Sequence, residues 1–463
     1  MDPQRLEHDL IGDRHVPADS YYGIHTLRAL ENFPLSGVPI SAHPELVVSL
    51  AEVKLACARA NSSLGLLDSA RAHVIMEAAD EIRHGLLHEH FVVDVLQGGA
   101  GTSSNMNANE VIANRALELW GRMRGDYNHL SPNDHVNLGQ STNDVYPTAV
   151  KLALHAAVGG LLPAMGRLAD TFADRGRAFA DVVKLGRTQL QDAVPMTLGQ
   201  EFAVFALTVR DDRDQLERAV GPLREVNVGG TAIGTGLNAA SGYAAAAVNE
   251  LADLTGVAVR PARDPIEATQ GVGAFLQLAS AFKCFAMRLS KICNDLRLLA
   301  SGPQAGLAEI RLPALQAGSS IMPGKVNPVL PEAVNQVCFE VVGVEAAVAL
   351  AGQSGQLQLN AFEPLMAHLL LTAANRLERA CDLLAIRCVA GIEADAGRLR
   401  GYAEGSAALA TALNPVLGYQ RATEVAQRSV AERRPVREIA LEGGLVSAAA
   451  LGDLLDPMRL AGR

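Results

Sequence analysis

The sequence predicts an all-α protein, and three observations lead to that prediction. Apolar residues make up 49% of the 463 positions while aromatic residues make up only 4%, a composition that favours close-packed helices over sheets. From Phe275 to Leu299, apolar side chains recur at alternating intervals of three and four residues, the spacing of a coiled-coil seam. A second apolar series, from Val334 to Val348, repeats that rhythm. Helices with such narrow seams pack at shallow angles, so we expect an elongated bundle in the middle of the chain.

The limits of these two helices follow from the residues around each seam. The first seam comprises Phe275, Leu278, Phe282, Phe285, Leu289, Ile292, Leu296 and Leu299. It stops at residues 301–303, which read SGP and do not continue a helix. The second seam comprises Val334, Val337, Val341, Val344 and Val348. It follows Pro331, which suits a first helical turn, and ends near Gly352.

A third bundle helix is predicted from the apolar residues Phe202, Phe205 and Val209. A long helix in such a bundle cannot hide its whole surface within one protomer, whereas a bundle built from several chains can bury it. We therefore predict oligomerisation on packing grounds, although packing alone does not give the number of subunits.

Charge and cysteine content exclude several classes of protein. The 40 Lys and Arg against 50 Asp and Glu give a net charge of −10, without a long basic run, which argues against nucleic acid or an anionic membrane as a partner. The six cysteines form no C-x-x-C pair, as expected for reduced thiols.

The N-terminal residues lack the apolar stretch of a secretory signal, and no later segment runs apolar for about 18 residues. We expect a cytoplasmic protein that does not span a membrane.

Chemistry is expected where the helical pattern gives way to glycine, hydroxyl and amide residues. These four breaks are residues 98–110, 140–144, 186–192 and 318–328. Any one of them can be explained by helix capping. Together they supply many neutral hydrogen-bond donors and two cations, Arg187 and Lys325. This set suits a small substrate that carries several carboxylates.

Other motif interpretations fail on detail. Residues 318–325 look like a phosphate-binding loop, but five residues rather than four separate the glycines, and Val326 stands where Ser or Thr holds magnesium. The glycine-rich residues 227–238 lack a preceding strand and a complete dinucleotide fingerprint, so a turn or a close helix contact is predicted. The sequence contains neither an H-E-x-x-H motif nor a cysteine quartet, so a zinc site is not expected. The pair Asp134 and His135 has no partner nucleophile and is assigned an exposed or capping role.

The segment 318–328, which reads GSSIMPGKVNP, resembles the signature of the aspartase/fumarase superfamily. The other three polar breaks are similar to the remaining active-site regions of that superfamily in order and separation. The resemblance extends over nearly the whole chain, from residues 17–23 to the C-terminal region near Leu441.

Within this superfamily the chain resembles aspartases more than fumarases. Residues 331–339 and 355–360 are aspartase-like, and Thr142 stands where fumarases usually have a second serine. Gln189 is a departure, because fumarases and some aspartases carry histidine there while other aspartases have glutamine. A role for that histidine in handling water or orienting substrate does not transfer to this chain.

The resemblance implies elimination of ammonia from L-aspartate to give fumarate. Ser319 matches the base and Lys325 a second catalytic residue. The substrate-binding residues that it implies are Thr102, Ser141, Thr142, Asn143, Thr188, Gln189, Ser320 and Asn327. Proton removal beside a carboxylate creates an enediolate-like dianion that needs fixed donors. A serine base needs its alkoxide stabilised by backbone N–H groups of the glycine-flanked loop and by Lys325, and the loop is expected to close as a lid.

The resemblance also implies an overall organisation. We expect an N-terminal helical domain over 1–139, a central long-helix bundle over 140–393 and a small helical domain over 394–463. The expected assembly is a homotetramer whose active sites combine residues of three subunits. No cofactor and no metal are expected, because the substrate's own carboxylate is the electron sink. Fumarate hydratase is the second hypothesis, and a non-enzymatic structural member of the superfamily is the third.

Overall fold

Helices account for most of the chain, in agreement with the all-α prediction. The structure is a computed structural model that describes residues 3–462. In chain order the helices are α1 (Ile24–Asn32), α2 (Pro44–Ser63), α3 (Ser69–Arg83), α4 (Thr102–Leu119), α5 (Thr142–Ala178), α6 (Leu198–Val220), α7 (Tyr243–Thr255), α8 (Pro265–Gln270), α9 (Gly273–Leu299), α10 (Val329–Gln353), α11 (Glu363–Arg387), α12 (Ala396–Gly405), α13 (Asn414–Leu417), α14 (Tyr419–Glu432), α15 (Val436–Glu442), α16 (Ala448–Leu454) and α17 (Pro457–Leu460).

Short strands form two-stranded sheets between the helices. The strands are β1 (Gln4–Asp9), β2 (Gly12–Pro17), β3 (Val183–Thr188), β4 (Gln191–Thr197), β5 (Glu225–Val226), β6 (Arg260–Pro261), β7 (Ile310–Arg311) and β8 (Glu393–Ala394). The pairs β1–β2, β3–β4 and β7–β8 are antiparallel, and β5–β6 is parallel. Sequence analysis did not identify them, because strands this short show little alternation of apolar and polar residues.

The coiled-coil spacing of the first seam correctly predicted helix α9. All eight seam residues have at most 5% of their surface exposed. In the second seam Val334, Val341, Val344 and Val348 are buried and Val337 is half-buried. Pro331 lies in the first turn of α10, as predicted, although the helix begins two residues earlier. A proline is tolerated there because the first N–H groups of a helix have no intrahelical partner.

The described chain divides into two compact units. The first comprises the chain up to Leu162, together with Gln215–Lys283 and Glu340–Arg376. The second comprises Pro163–Asp214, Cys284–Phe339 and the chain from Leu377 onward. These ranges do not address the three sequence domains proposed above, whose limits near residues 139 and 394 remain a prediction. The helices α5 and α12 begin shortly after those two positions.

Each unit has its own apolar core. In the first, α2 packs against α3 and α7, and α3 packs against α4. In the second, an aromatic cluster joins the C-terminal part of α5 to α6: the ring of Phe202 lies 6.1, 5.4 and 5.6 Å from those of Phe172, Phe179 and Phe205. These edge-to-face and tilted contacts stabilise the helix pair beyond the burial of area. A further apolar cluster of the second unit is formed by residues 409–455.

Several long helices keep large apolar side chains at the surface. On α10, Phe339, Val342 and Leu350 are 62, 37 and 61% exposed. Other exposed apolar residues are Val204 and Leu207 of α6, Met287 and Leu298 of α9, and Leu383 and Ile386 of α11. Apolar surface of this extent on neighbouring turns of a helix is typical of an interaction face.

Two helices of the described chain, α5 and α10, are long and apolar enough to cross a membrane by length and composition alone. Charged residues interrupt both helices, so the sequence expectation that no segment runs apolar for about 18 residues still holds. In α5, 61% of the most apolar window is buried in the protein, as in a core helix. In α10 only 33% is buried, but Glu332, Glu340 and Glu345 interrupt the helix. Carboxylates at this spacing are costly in hydrocarbon, so the exposed face of α10 suits a protein partner better.

A pair of histidines in the first unit makes stability depend on pH. His43, just before α2, lies with Nε2 2.8 Å from Nδ1 of His368 on α11 and is 5% exposed. Burial, and to a smaller extent His368, lowers the pKa of His43 to about 4. Burial also lowers the pKa of His368. Since the unfolded imidazole has a pKa near 6.5, the unfolded chain takes up a proton before the folded chain does.

We therefore expect the wild-type protein to lose stability as the pH falls from about 6.5 to 4, with no contribution from His43 above that window. The loss from His43 is about 3 kcal/mol at most. Thermal unfolding of His43→Gln should show a smaller decrease in Tm over this window than the wild type. His73→Gln, at a position with 75% side-chain exposure, serves as the control. Parallel curves for the wild type and His43→Gln would contradict this expectation.

Candidate active site

The first group of predicted site residues lies where two helices begin. Thr102 is the first residue of α4 and is exposed, while Ser141, Thr142 and Asn143 lie at the start of α5. The two helix starts lie against each other at Gly101, where an added Cβ would come within 2.4 Å of the Tyr146 ring. Gly101 also has a φ of 91°, which disfavours other residues. Two helix N-termini that lie against each other add positive potential to this part of the first unit, which suits a carboxylate.

Behind this group lies a buried polar network that sequence reasoning missed. The Lys54 ammonium donates to Oδ1 of Asn137 at 2.9 Å and to Oε1 of Gln140 at 2.8 Å. Asn105 donates to Asn137 at 3.3 Å and to the hydroxyl of Thr142 at 3.1 Å. Burial lowers the pKa of Lys54 to about 7. The network therefore connects Lys54 to the hydroxyl of a predicted substrate-binding residue.

Asp144 fixes the start of α5 and the glycine-rich turn beside it. One carboxylate oxygen accepts the Ser141 N–H at 3.0 Å, and the other accepts those of Gly229 and Thr231 at 3.1 and 2.9 Å. Asn143 donates from Nδ2 to the Ala232 carbonyl at 2.7 Å. Burial raises the pKa of Asp144 to about 6, against the opposing effect of its hydrogen bonds. Residues 227–238 thus form turns that support the helix start, consistent with the sequence interpretation.

The second group lies at the tip of the β3–β4 hairpin in the second unit. Thr188 ends β3, and Gln189 and Leu190 form the two-residue turn with φ of 54° and 62°. Both turn residues have left-handed backbones, as a type I′ turn requires, although Asn and Gly are the residues that usually occupy it. All three side chains are exposed. Unfavourable backbone conformations of this kind are often found at functional sites.

Arg187 does not have the role that the sequence suggested for it. We interpreted it as a cation available to a substrate, but its Nη1 lies 2.5 Å from a carboxylate oxygen of Glu309, which is 0% exposed. The guanidinium also lies 5.8 Å from the ring centroid of Tyr402. Its charge is neutralised by a residue 122 positions away, a pairing that no local sequence pattern indicates.

The third group occupies the loop between β7 and α10. The Ser319 hydroxyl oxygen accepts hydrogen bonds from the N–H groups of Ile321 at 3.1 Å and Met322 at 2.8 Å. Gly318 donates from its N–H to the Lys325 carbonyl at 2.7 Å. Asn327 donates from Nδ2 to the Gly318 carbonyl at 2.7 Å. These bonds close the loop into a compact turn, with the Ser319 oxygen held by two backbone donors.

The same loop borders an open concavity of about 530 Å³. Its lining includes Ser319, Met322 and Lys325. Ser320 and Lys325 are exposed while Ser319 and Asn327 are half-buried. A serine oxygen that accepts two N–H bonds is in an environment that favours its anionic form.

Within one chain, the structure brings some of the predicted residues together and not others. Thr102 lies with Ser141, Thr142 and Asn143 in the first unit. The hairpin tip and the Ser319 loop belong to the second unit. Between residues 3 and 462, no hydrogen bond or ion pair joins the side chains of Thr188 or Gln189 to the Ser319 loop.

The remaining sequence candidates have structural roles. Asp134 and His135 lie on a π-helical turn, Pro132–Val136, where His135 accepts the Ser131 N–H at 2.8 Å. This agrees with the capping interpretation. Over the part of the chain that the structure describes, no three His, Cys, Asp or Glu side chains gather as metal ligands.

Comparison with known proteins identifies the class. Residues 12–343 match the family described as Lyase, and residues 409–462 match the family described as Fumarase C C-terminus. The first match spans most of the chain. The chain belongs to the aspartase/fumarase superfamily of lyases.

Individual relatives match along nearly the whole chain. An aspartate ammonia-lyase of Pseudomonas aeruginosa is 54% identical over 454 residues, covering 98% of this chain and 96% of the relative. An aspartate ammonia-lyase of Escherichia coli K12 is 48% identical over 457 residues, covering 98% and 96%. A crystal structure of fumarate lyase:delta crystallin from Brucella melitensis bound to cobalt is 55% identical, with a TM-score of 0.97 and 99% and 100% coverage. Recombinant class II fumarase from Schistosoma mansoni is 34% identical, with a TM-score of 0.95 and 99% coverage of both chains.

Proposed function

We propose that this protein is an aspartate ammonia-lyase, which reversibly eliminates ammonia from L-aspartate to give fumarate. The observation that carries the proposal is its similarity, along nearly its whole length, to curated proteins of that name from several bacteria. The reaction is a carbon–nitrogen bond cleavage. A base takes the proton from the carbon next to one carboxylate, and the electron pair is held on that carboxylate as an enediolate. The pair then forms the double bond while the C–N pair leaves with ammonia.

The first residue group supplies what such a substrate requires. Thr102, Ser141, Thr142 and Asn143 offer hydroxyl and amide groups at the N-termini of α4 and α5. Fixed donors that face developing negative charge stabilise a transition state without reorganising during the reaction. The hydrogen bonds of Asn105 and Asp144 hold these donors in place. We assign this group to the binding of a substrate carboxylate and the amino group.

Ser319 is assigned as the base. Its oxygen already accepts two backbone N–H bonds, and these support an alkoxide more strongly than a neutral hydroxyl. Lys325 borders the same concavity and adds positive charge. The exposed loop is suited to move towards a bound substrate and exclude water. Thr188, Gln189, Ser320 and Asn327 are assigned to substrate binding.

Assembly is the condition under which these groups meet. We propose a homotetramer in which the exposed apolar residues of α6, α9, α10 and α11 are buried between chains and each active site takes groups from three subunits. Phe339 and Leu350, both more than 60% exposed in one chain, support such burial. The proposed location is the cytoplasm, and the chemistry requires neither cofactor nor metal.

Fumarate hydratase is the alternative, favoured by the similarity to a class II fumarase. Offering purified protein L-aspartate and, separately, L-malate distinguishes the two, because fumarate absorbs in the ultraviolet and both substrates absorb weakly. We expect absorbance to rise with aspartate only. A rise with malate only would establish the alternative, and no rise with either would leave a non-enzymatic role.

A further inference from the structure

Glu309 is the centre of a buried ionic network in the second unit. Its carboxylate is 0% exposed and lies 2.5 Å from Nη1 of Arg187 and 2.9 Å from Nζ of Lys184. Lys184 also lies 2.6 Å from a carboxylate oxygen of Glu201 on α6. The Glu309 N–H donates to the Leu299 carbonyl at 2.8 Å. Both the backbone and the side chain of Glu309 are therefore fixed, and its carboxylate is out of reach of a substrate.

Lys184 and Arg187 both lie next to the Glu309 carboxylate because the strand that carries them, β3, is irregular. Lys184 and Arg187 are three positions apart on β3, so a regular strand would direct them to opposite faces. The β3–β4 register shifts between Leu185 and Arg187, where a bulge adds local twist. An added Cβ at Gly186 would lie 3.0 Å from the Val194 carbonyl oxygen. Glycine at this position allows the close approach of the two strands that accompanies the bulge.

On one side, the network holds the base of the hairpin tip. Arg187 directly precedes Thr188, and the exposed turn residues Gln189 and Leu190 follow with left-handed backbones. A turn in an unfavourable conformation persists only when its surroundings determine it. The ion pair of Arg187 with Glu309 lies two residues before that turn, and the Asp192 carboxylate, two residues after it, accepts a hydrogen bond from the Ser406 hydroxyl at 2.8 Å.

On the other side, the network lies at the start of the Ser319 loop. Glu309 directly precedes β7, which pairs with β8, and the loop follows from residue 312. The Glu309 carbonyl also accepts the Asp395 N–H at 3.0 Å. Glu309 is therefore linked through its carboxylate to the strand that leads to Thr188 and through its backbone to the segment that leads to Ser319.

We propose that Glu309, acting through Arg187 and Lys184, is a positioning residue for the hairpin tip that carries Thr188 and Gln189 and for the base of the Ser319 loop. The expected change in kcat/KM rests on the proposed function, whereas the expected change in the hairpin tip does not. Loss of the carboxylate leaves the half-buried Arg187 without its ionic partner and the buried Lys184 with Glu201 alone, which is destabilising wherever it occurs. A test must therefore separate positioning from general loss of stability.

The test uses Glu309→Gln in the full-length protein, with Asp212→Asn as a matched control. Asp212 is 3% exposed and lies 2.7 Å from Nη1 of Arg288, whose side chain is 39% exposed, so it is a buried carboxylate of the same unit that pairs with a partly exposed cation. We expect both variants to lower Tm. Glu309→Gln alone should speed amide hydrogen exchange at residues 187–192 and lower kcat/KM for L-aspartate by about 10²-fold, because small misplacements of binding groups have effects of that size. Glu309→Asp should restore part of the loss.

A second variant covers the case in which Glu309→Gln does not fold. Arg187→Gln leaves the Glu309 carboxylate paired with Lys184 and should show the same faster exchange at the tip. Exchange at residues 187–192 as slow as in the wild type, in whichever variant folds, would overturn the positioning role. If the wild type does not convert L-aspartate, the proposed function fails, and the exchange measurement still decides the role of Glu309.

Discussion

Replacement of Ser319 by alanine should reduce fumarate formation from L-aspartate by about 10³-fold or more, because a general base contributes rate factors of this order. The substitution removes an oxygen that accepts two backbone N–H bonds and no apolar packing. We therefore expect the oligomeric state and Tm to stay close to those of the wild type. Steady-state kinetics, size-exclusion chromatography and thermal unfolding measure these three properties.

Substitutions at two other serines make the experiment specific. Ser320 is exposed, and within residues 3–462 its hydroxyl makes no hydrogen bond, so Ser320→Ala should impair turnover much less than Ser319→Ala. Ser63, which is exposed at the end of α2 in the first unit and donates to the Ala60 carbonyl at 2.9 Å, gives a control outside the predicted site residues. A Ser319→Ala enzyme that retains more than about a tenth of the wild-type kcat is incompatible with a base at this position.

Two inactive variants should regain activity when they assemble together, if active sites are shared between chains. Ser141→Asp places a carboxylate at the start of α5, where it repels a dicarboxylate substrate. Ser319→Ala removes the base. Co-expressed with different tags and purified by both, the mixed oligomers should recover about a quarter of the wild-type activity, since random assembly leaves that share of sites with both residues intact.

The control for this complementation uses two substitutions on one loop. Ser319→Ala and Lys325→Met alter residues that border the same concavity of one chain, so no mixed oligomer contains an intact loop. We expect that pair to stay inactive. Mixed Ser141→Asp and Ser319→Ala oligomers as inactive as each parent would show that each site is built from a single chain.

The sequence was informative where a pattern is local. The three-and-four spacing from Phe275 to Leu299 predicted α9, because a helix that buries one narrow face must repeat apolar residues at that interval. The polar clusters at residues 98–110 and 140–144 were recognised as breaks in the helical pattern, and α4 and α5 begin within them. The resemblance of residues 318–328 to a superfamily signature then gave the class of enzyme.

Contacts between residues far apart in the chain produce no local sequence pattern, so the sequence did not predict them. Arg187 looked like a free cation because Glu309, its partner, lies far away in sequence. Lys54 lies within a buried helix, and its place in a polar network is known only from its hydrogen bonds to Asn137 and Gln140. The hairpin that carries Thr188 was missed, because Gln189 and Leu190 are not residues that predict a two-residue turn. Each of these features is determined by tertiary packing, which overrides local preference.

The exposed apolar side chains of α10 affect how the protein is made in the cell. In the proposed assembly a second copy covers Phe339, Val342 and Leu350, which a newly synthesised chain displays to solvent. Such surfaces adhere to other unassembled chains. Since association stabilises the folded form by mass action, the melting temperature should rise with protein concentration. Yield in a host cell then depends on whether copies meet one another faster than they aggregate.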